Sequence, residues 1–328
     1  MTDQVTILTT AFKAGLVGRE FTRLDRGSRN LDDKFCDSDG NMYLTEEQAA
    51  PLVDAGYFEW QSSGTVGWIL TPAGIAAGAK LVEVDRLDLK VLCDDTLALA
   101  FFHPNKDAEG QVAIPALYDA GDPESKLVLV LGENAGGKSF FRRLVRSMTA
   151  TARKGNYGQP AVKAGPYPVR EMINLSMQGR TGGGMMGSFI YGNEAQDSTG
   201  DNSAHTVTMG IKTATSRAHR TIVYWDEPDI GMSAGSAAGA GMTIREMMDG
   251  DLPLVQGVFI TSHSPALVHQ LSLCKHKPHY LYLGNAEGPA TLEDWFQYQR
   301  TPTPVSPTEL HEVSRVRRSL IQKILNRK

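Results

Sequence analysis

Three cysteines in 328 residues, Cys36, Cys93 and Cys274, are too few and too far apart for a disulfide framework, and no two stand at the C-x₂-C interval that holds zinc. No apolar run approaches the roughly 20 residues of a membrane-crossing helix. The start Met1-Thr-Asp-Gln-Val5 lacks the basic segment and apolar core of a secretion signal. A protein of the reducing cytoplasm with no membrane partner is expected. Net charge is also small: 37 acidic against 33 basic residues leave −4, so no global field draws the chain to nucleic acid. No internal repeat at a fixed period is visible, which argues against a solenoid or propeller. Asp37-Ser-Asp-Gly-Asn-Met42 superficially suggests a calcium loop. Its glycine stands at the fourth position rather than the sixth, and Gln48 occupies the place of the required glutamate, so calcium is rejected.

What is present suits one large α/β domain with a smaller companion, and a hydrophobic content of 41% is ordinary for a globular chain. Residues 1–83 read as the companion. Thr45 can cap a helix with Glu47 and Gln48 in its first turn, and Ala49, Leu52, Val53 and Tyr57 fall near helical spacing. Phe58-Glu-Trp60 and Thr65 to Leu70 form a hairpin around Gln-Ser-Ser-Gly, and Thr71-Pro72 opens another helix. This order resembles a winged helix. Arg19, Arg23, Arg26 and Arg29 could line one side of a helix and touch phosphates, yet the first 85 residues carry thirteen acids against seven basic residues. DNA and a protein partner both stay open for this unit. Residues 84–300 form the main domain, with Val84 to His103 expected to supply its first strands. Residues 301–328 are a Pro-rich linker and a helix with an apolar stripe, Val313, Val316, Leu320, Ile321 and Leu325. From His311 to Lys328 there are six Lys/Arg and one acid, Glu312. Packing on the main domain is the default for this helix, and a basic face for nucleic acid or an acidic partner is the sharper alternative.

The motifs lie in the main domain. Lys126-Leu-Val-Leu-Val-Leu131 is a buried-strand run, and Ser139 to Arg146 continues as a helix. Between them Gly132-Glu133-Asn134-Ala135-Gly136-Gly137-Lys138-Ser139 satisfies G-x-x-x-x-G-K-S in the strand-to-helix setting that motif requires. Its glycines let backbone N–H groups converge on phosphates, Lys138 reaches the β- and γ-phosphates, and the Ser139 hydroxyl can ligate Mg²⁺. ATP and Mg²⁺ are the expected ligands. Thr221-Ile-Val-Tyr-Trp225 is a second strand, expected beside the first, and it ends in Asp226-Glu227. Asp226 is assigned to the metal side and Glu227 to general-base work on water. A third strand, Leu254 to Ile260, leads to Thr261-Ser-His263-Ser-Pro, where His263 can reach a γ-phosphate.

Together, Gly-Glu-Asn-Ala-Gly-Gly-Lys-Ser, Trp-Asp-Glu-Pro-Asp-Ile-Gly-Met-Ser and Ile-Thr-Ser-His-Ser-Pro resemble the ABC-type ATPases. The branch is the non-transporter one that includes the SMC, RecF and overcoming-lysogenization-defect families, and the likeness covers about Val84 to Gly284. The resemblance implies a P-loop NTPase core in which Lys138 and Ser139 are Walker A residues and Asp226 and Glu227 the Walker B pair. It makes Ile230 to Ser233 the D-loop, His263 the switch histidine and Gln178 the glutamine bridging Mg²⁺ and the attacking water. It also implies a signature turn that caps the nucleotide of a second subunit. Ser198 and Gly200 echo its S-x-G-[DE] form, Ser203 has the spacing to Asp226 usual in transporters, and an ordinary helix cap before Ala204 to Arg217 is a third reading. Ser233 stands where the D-loop often has Asp. About twenty residues separate Gln178 from Ser198, too few for a long coiled coil or a transporter's helical subdomain. The expected function is ATP hydrolysis in a nucleotide-dependent homodimer switching contacts with DNA or a protein effector. By resemblance its role would lie in DNA maintenance or phage conflict. An ATP-binding regulatory module with negligible turnover is the alternative, and a transporter's ATPase subunit a third reading, disfavoured by the missing helical subdomain.

Overall fold

The computed structural model describes residues 4–16, 21–23, 42–61, 67–81, 86–99, 114–152, 161–176, 198–217 and 219–325. Helix α1 (Gln4–Leu16) buries Ile7, Leu8, Ala11 and Phe12, which recur at helical spacing. Strands β1 (Phe21–Arg23) and β2 (Met42–Leu44) precede α2 (Glu46–Asp54). That helix starts with a capping box: Gln48 N donates to Thr45 Oγ1 at 3.2 Å, and Thr45 N donates to Gln48 Oε1 at 3.0 Å. The hairpin strands β3 (Phe58–Gln61) and β4 (Gly67–Leu70) then lead into α3 (Pro72–Leu81), where Gly74 N donates to Thr71 Oγ1 at 3.1 Å. Cap, hairpin and Pro-initiated helix stand where the sequence put them. Among the described residues the sheet order is β2-β1-β4-β3, and Phe12, Leu44, Leu52, Phe58 and Ile75 share one core with Leu254 from far along the chain.

Two expectations fail here. Arg23 ends a strand whose residues pair in parallel with Met42–Leu44, so the helical row of arginines does not form; Arg19, Arg26 and Arg29 lie outside the described residues. Within Val84 to His103 the described part is a helix, α4 (Leu89–Ala98), not a strand. Asp88 caps it by accepting from Val91 N at 3.0 Å, and Leu89, Leu92, Cys93 and Thr96 bury one helical face. Aliphatic content suggested a strand; the 3–4 residue spacing of the buried positions decides for the helix.

The rest of the chain alternates strands and helices. It runs β5 (Ala116–Asp119), β6 (Leu127–Gly132), α5 (Lys138–Met148), β7 (Glu171–Leu175), α6 (Thr199–Thr215), β8 (Thr221–Asp226) and α7 (Ala234–Asp249). It continues through β9 (Val255–Thr261), α8 (Pro265–Ser272), β10 (His279–Leu283), α9 (Leu292–Arg300) and α10 (Pro307–Leu325). Among the described residues the strands form one sheet in the order β5-β10-β6-β9-β8-β7. Every pairing is parallel except that of the edge strand β5 with β10. Both faces are covered, which explains the unbroken apolar runs. Leu127, Leu129, Leu131, Val223 and Trp225 enter the core on one face, while Val128, Val130, Ile222 and Tyr224 enter the other. Each such fully buried side chain contributes about 1.5–3 kcal/mol. One adjacency expected from the sequence is wrong: β8 does not lie beside β6, because β9 pairs with both and separates them. No helix among the described residues is long and apolar enough to cross a membrane.

Candidate active site

The parallel strands deliver their carboxyl ends to one edge, where ligands bind in sheets of this kind. β6 ends in a loop whose backbone needs glycine. Gly132 has φ +138° and Gly137, the residue capping α5, has φ +102°. A Cβ on Gly136 would sit 2.5 Å from Leu283 O at the end of β10, so the loop is pressed against that strand. Ala135 carries a left-handed φ of +60° in the same turn.

Lys138, the first residue of α5, is buried and points back along the loop. Its Nζ donates to Gly132 O and Glu133 O at 3.0 Å each and meets His263 Nε2 at 2.9 Å. Burial pulls its ammonium down to about 8 against the opposing pull of Glu227, Asp226 and Glu133. Burial, then the Lys138 charge, lowers His263 to about 4. The imidazole is therefore neutral near pH 7, and with Nε2 accepting from Lys138 its proton resides on Nδ1. His263 is aimed by the turn it stands in: Ser262 Oγ donates to Asp229 Oδ2 at 3.1 Å and accepts from Ser264 N at 2.9 Å, and Ser264 caps α8.

Asp226 and Glu227 end β8 next to this turn. Thr261 Oγ1 donates to Asp226 Oδ1 at 2.7 Å, and Arg142 Nη1 lies 3.1 Å from Asp226 Oδ2. Glu227 has a left-handed φ of +53°, held by its N–H, which lies 3.1 Å from both Thr261 O and Thr261 Oγ1. Its Oε1 is 3.6 Å from His263 Nε2. Burial and the neighbouring Asp226 raise the Glu227 carboxyl above the usual range, while Lys138 pulls the other way. Ser139 is exposed on the first turn of α5 and lines the same cleft of about 740 Å³ as Lys138, Asp226 and Glu227.

Lys138, Ser139, Asp226, Glu227 and His263 thus meet at one edge. Gln178 lies outside the described residues. Ser198 and Gly200 belong to a separate surface near the start of α6, with Ser203 beneath it. Ser198 is the helix cap, accepting from Asp201 N at 3.2 Å, and the helix begins at Thr199, five residues earlier than the sequence indicated. Ser203 is fully buried and donates to Ile230 O at 2.7 Å, whereas Ser198 is exposed. Ser233 caps α7 beside them.

Sequence reasoning missed Arg142, Thr261 and the arginines of α10. Arg142 stands one helical turn after Lys138, a spacing that could have flagged it. Thr261 is the last residue of β9, directly before Ser-His263. Arg317 and Arg318 line the cleft from a helix whose docking no local pattern encodes. Compared with known proteins, the chain matches no family model and no curated sequence.

Proposed function

We propose that this cleft binds ATP with Mg²⁺ and hydrolyses its γ-phosphate, and that the chain is an ABC-type P-loop ATPase of the non-transporter branch with a winged-helix-like N-terminal unit. The observation carrying the reading is the convergence of Lys138, Glu227 and His263, with contacts of 2.9 and 3.6 Å, beside Asp226 at the carboxyl ends of three adjacent parallel strands. Ser139 and Asp226 would hold the metal. A hydroxyl and a carboxylate lining one cleft are the hard oxygen donors Mg²⁺ takes, and its charge would neutralise the β- and γ-phosphate oxygens. Lys138 would exchange its carbonyl partners for phosphate oxygens, releasing a buried cation from a site without full charge compensation. Glu227, with its proton affinity already raised, would accept a proton as water oxygen bonds to the γ-phosphorus and the bond to the bridging oxygen of ADP breaks. His263 would contact the γ-phosphate, and Gln178 would align the water by family resemblance. The ATP-dependent homodimer and its DNA or protein effector belong to the same proposal.

The alternative, an ATP-binding regulatory module with negligible turnover, draws on one observation: Arg142 already pairs with the carboxylate assigned to the metal. Phosphate release from ATP and Mg²⁺ by the purified protein separates the two. Turnover should fall at least about 100-fold in Glu227→Gln and in Lys138→Ala. Parental turnover in Glu227→Gln would remove that residue as base, and ATP binding without any phosphate release would favour the module.

A further inference from the structure

The C-terminal helix α10 meets the main domain through Ile321 and Arg317. Ile321 packs against the core cluster that contains Phe140, and Arg317 Nη2 donates to Gly284 O just beyond β10. Of the apolar stripe seen in the sequence, Ile321 docks and Val313 is half-buried, while Val316 is 55% exposed. The face turned to the cleft carries Ser314, Arg317, Arg318, Ile321 and Gln322, which repeat at helical spacing.

Arg317 is the residue this docking leaves unfinished. Its Nη1 is buried and has no acceptor among the described residues, a costly state for a guanidinium. The guanidinium and the loop both border Gly284: a Cβ built there would come 2.8 Å from Gly136 Cα and 3.2 Å from Arg317 Nη1. The cleft also holds Lys138, Arg143 and Arg318 against the carboxylates Asp226 and Glu227, so an anion there is favoured by charge. A planar guanidinium with one nitrogen anchored on a carbonyl and the other unpaired suits a phosphate oxygen better than a point-charge lysine would.

We propose that Arg317 is a further nucleotide-binding residue, contacting the polyphosphate of ATP held by Gly132 to Ser139, and that occupancy of the site therefore holds α10 down. The proposal rests on the reading of that loop as an ATP site. Reciprocity follows from linkage: if docked α10 tightens ATP binding by some factor, ATP tightens docking by the same factor. The exposed stretch 301–306 is the segment that would let the helix lift.

The test uses the full-length chain, with titration calorimetry for ATP-Mg²⁺, tripolyphosphate and AMP, and hydrogen exchange across 307–322. Arg317→Gln should weaken ATP and tripolyphosphate about tenfold or more while leaving AMP unchanged. ATP should slow exchange across α10 in the parent and not in Arg317→Gln. Ile321→Asn, which removes the apolar anchor of the helix without changing the charge of the cleft, should reproduce the loss. Parental ATP affinity and ATP-slowed exchange in Arg317→Gln, with binding abolished in Lys138→Ala, would overturn this inference and leave the loop reading standing. Equal ATP binding by the parent and Lys138→Ala would overturn the loop reading and this inference together.

Discussion

Lys138 spends all three of its hydrogen-bond donors inside the protein, on two loop carbonyls and His263, and burial brings its proton affinity down to about 8. The linkage has a definite sign. Below about pH 8 the folded state carries a buried charge that costs stability. Between about 8 and the ordinary lysine value of 10.5 the folded protein gives up the proton first, and that cost fades as pH rises. A bound polyphosphate reverses the shift by supplying the missing negative charge. Binding of ATP-Mg²⁺ near pH 8.5 should therefore take up a proton at Lys138, with little uptake near pH 6.5. Calorimetry in two buffers of different ionisation enthalpy measures it. Lys138→Arg keeps the charge and cannot titrate, so its uptake should vanish. Equal uptake by parent and Lys138→Arg at pH 8.5 would move the proton, and the phosphate contact inferred from it, to another group.

At the scale of elements, the carboxylates are placed by how α6 lies against the sheet. A Cβ on Gly210 would come within 2.5 Å of Leu175 Cδ1 and of Trp225 Cζ2, so this glycine allows the helix to rest on the tryptophan that directly precedes Asp226. Gly210→Val should cost about 1–3 kcal/mol through overpacking and lower phosphate release by displacing the end of β8. Gly239 on α7 faces open space, and Gly239→Ala should stabilise by about 0.4–1 kcal/mol. Urea unfolding of both variants decides the matter: shifts of the same sign would mean that backbone entropy, not contact with Trp225, controls position 210. The contrast also marks what the sequence could tell. Strands β6, β8 and β9 were legible because burial on both faces demands continuous apolar runs, and the loop after β6 because its left-handed turns at Gly132 and Gly137 demand glycine. Strand order was not, since β9 enters between β6 and β8 through pairings distant in sequence, and local pattern carries no record of them. The same reason hid Arg142 on Asp226 and Arg317 on Gly284, contacts that exist only once helices have docked.

At the scale of the whole molecule, the described residues form, apart from the cleft at the loop, a surface groove where the starts of α6 and α7 lie side by side. The groove is preorganised. Gly231 takes φ +76°, a Cβ on Gly200 would reach 2.9 Å from Gly231 O, and the Ser203 hydroxyl ties the helix to Ile230 O from inside. With Ser203 buried, Ser198 and Gly200 are the part of the signature candidate that a second copy could meet. Two helix N-termini favour a negative group, such as the terminal phosphate of a nucleotide held by that copy, against the opposing carboxylate of Asp201 on the same lining. Glu227→Gln with ATP-Mg²⁺ should then double in mass by light scattering after size-exclusion chromatography. Ala204→Glu adds a carboxylate at an exposed position of the groove, where it costs the helix a few tenths of a kcal/mol at most, about the scale of single-residue propensities, and opposes an incoming phosphate. Placed in the Glu227→Gln background, it should hold the protein as a monomer while each chain still binds ATP. A dimer that survives Ala204→Glu would mean the copies meet elsewhere, and a mass unmoved by ATP in Glu227→Gln itself would mean the groove serves no second copy and the site works within one chain.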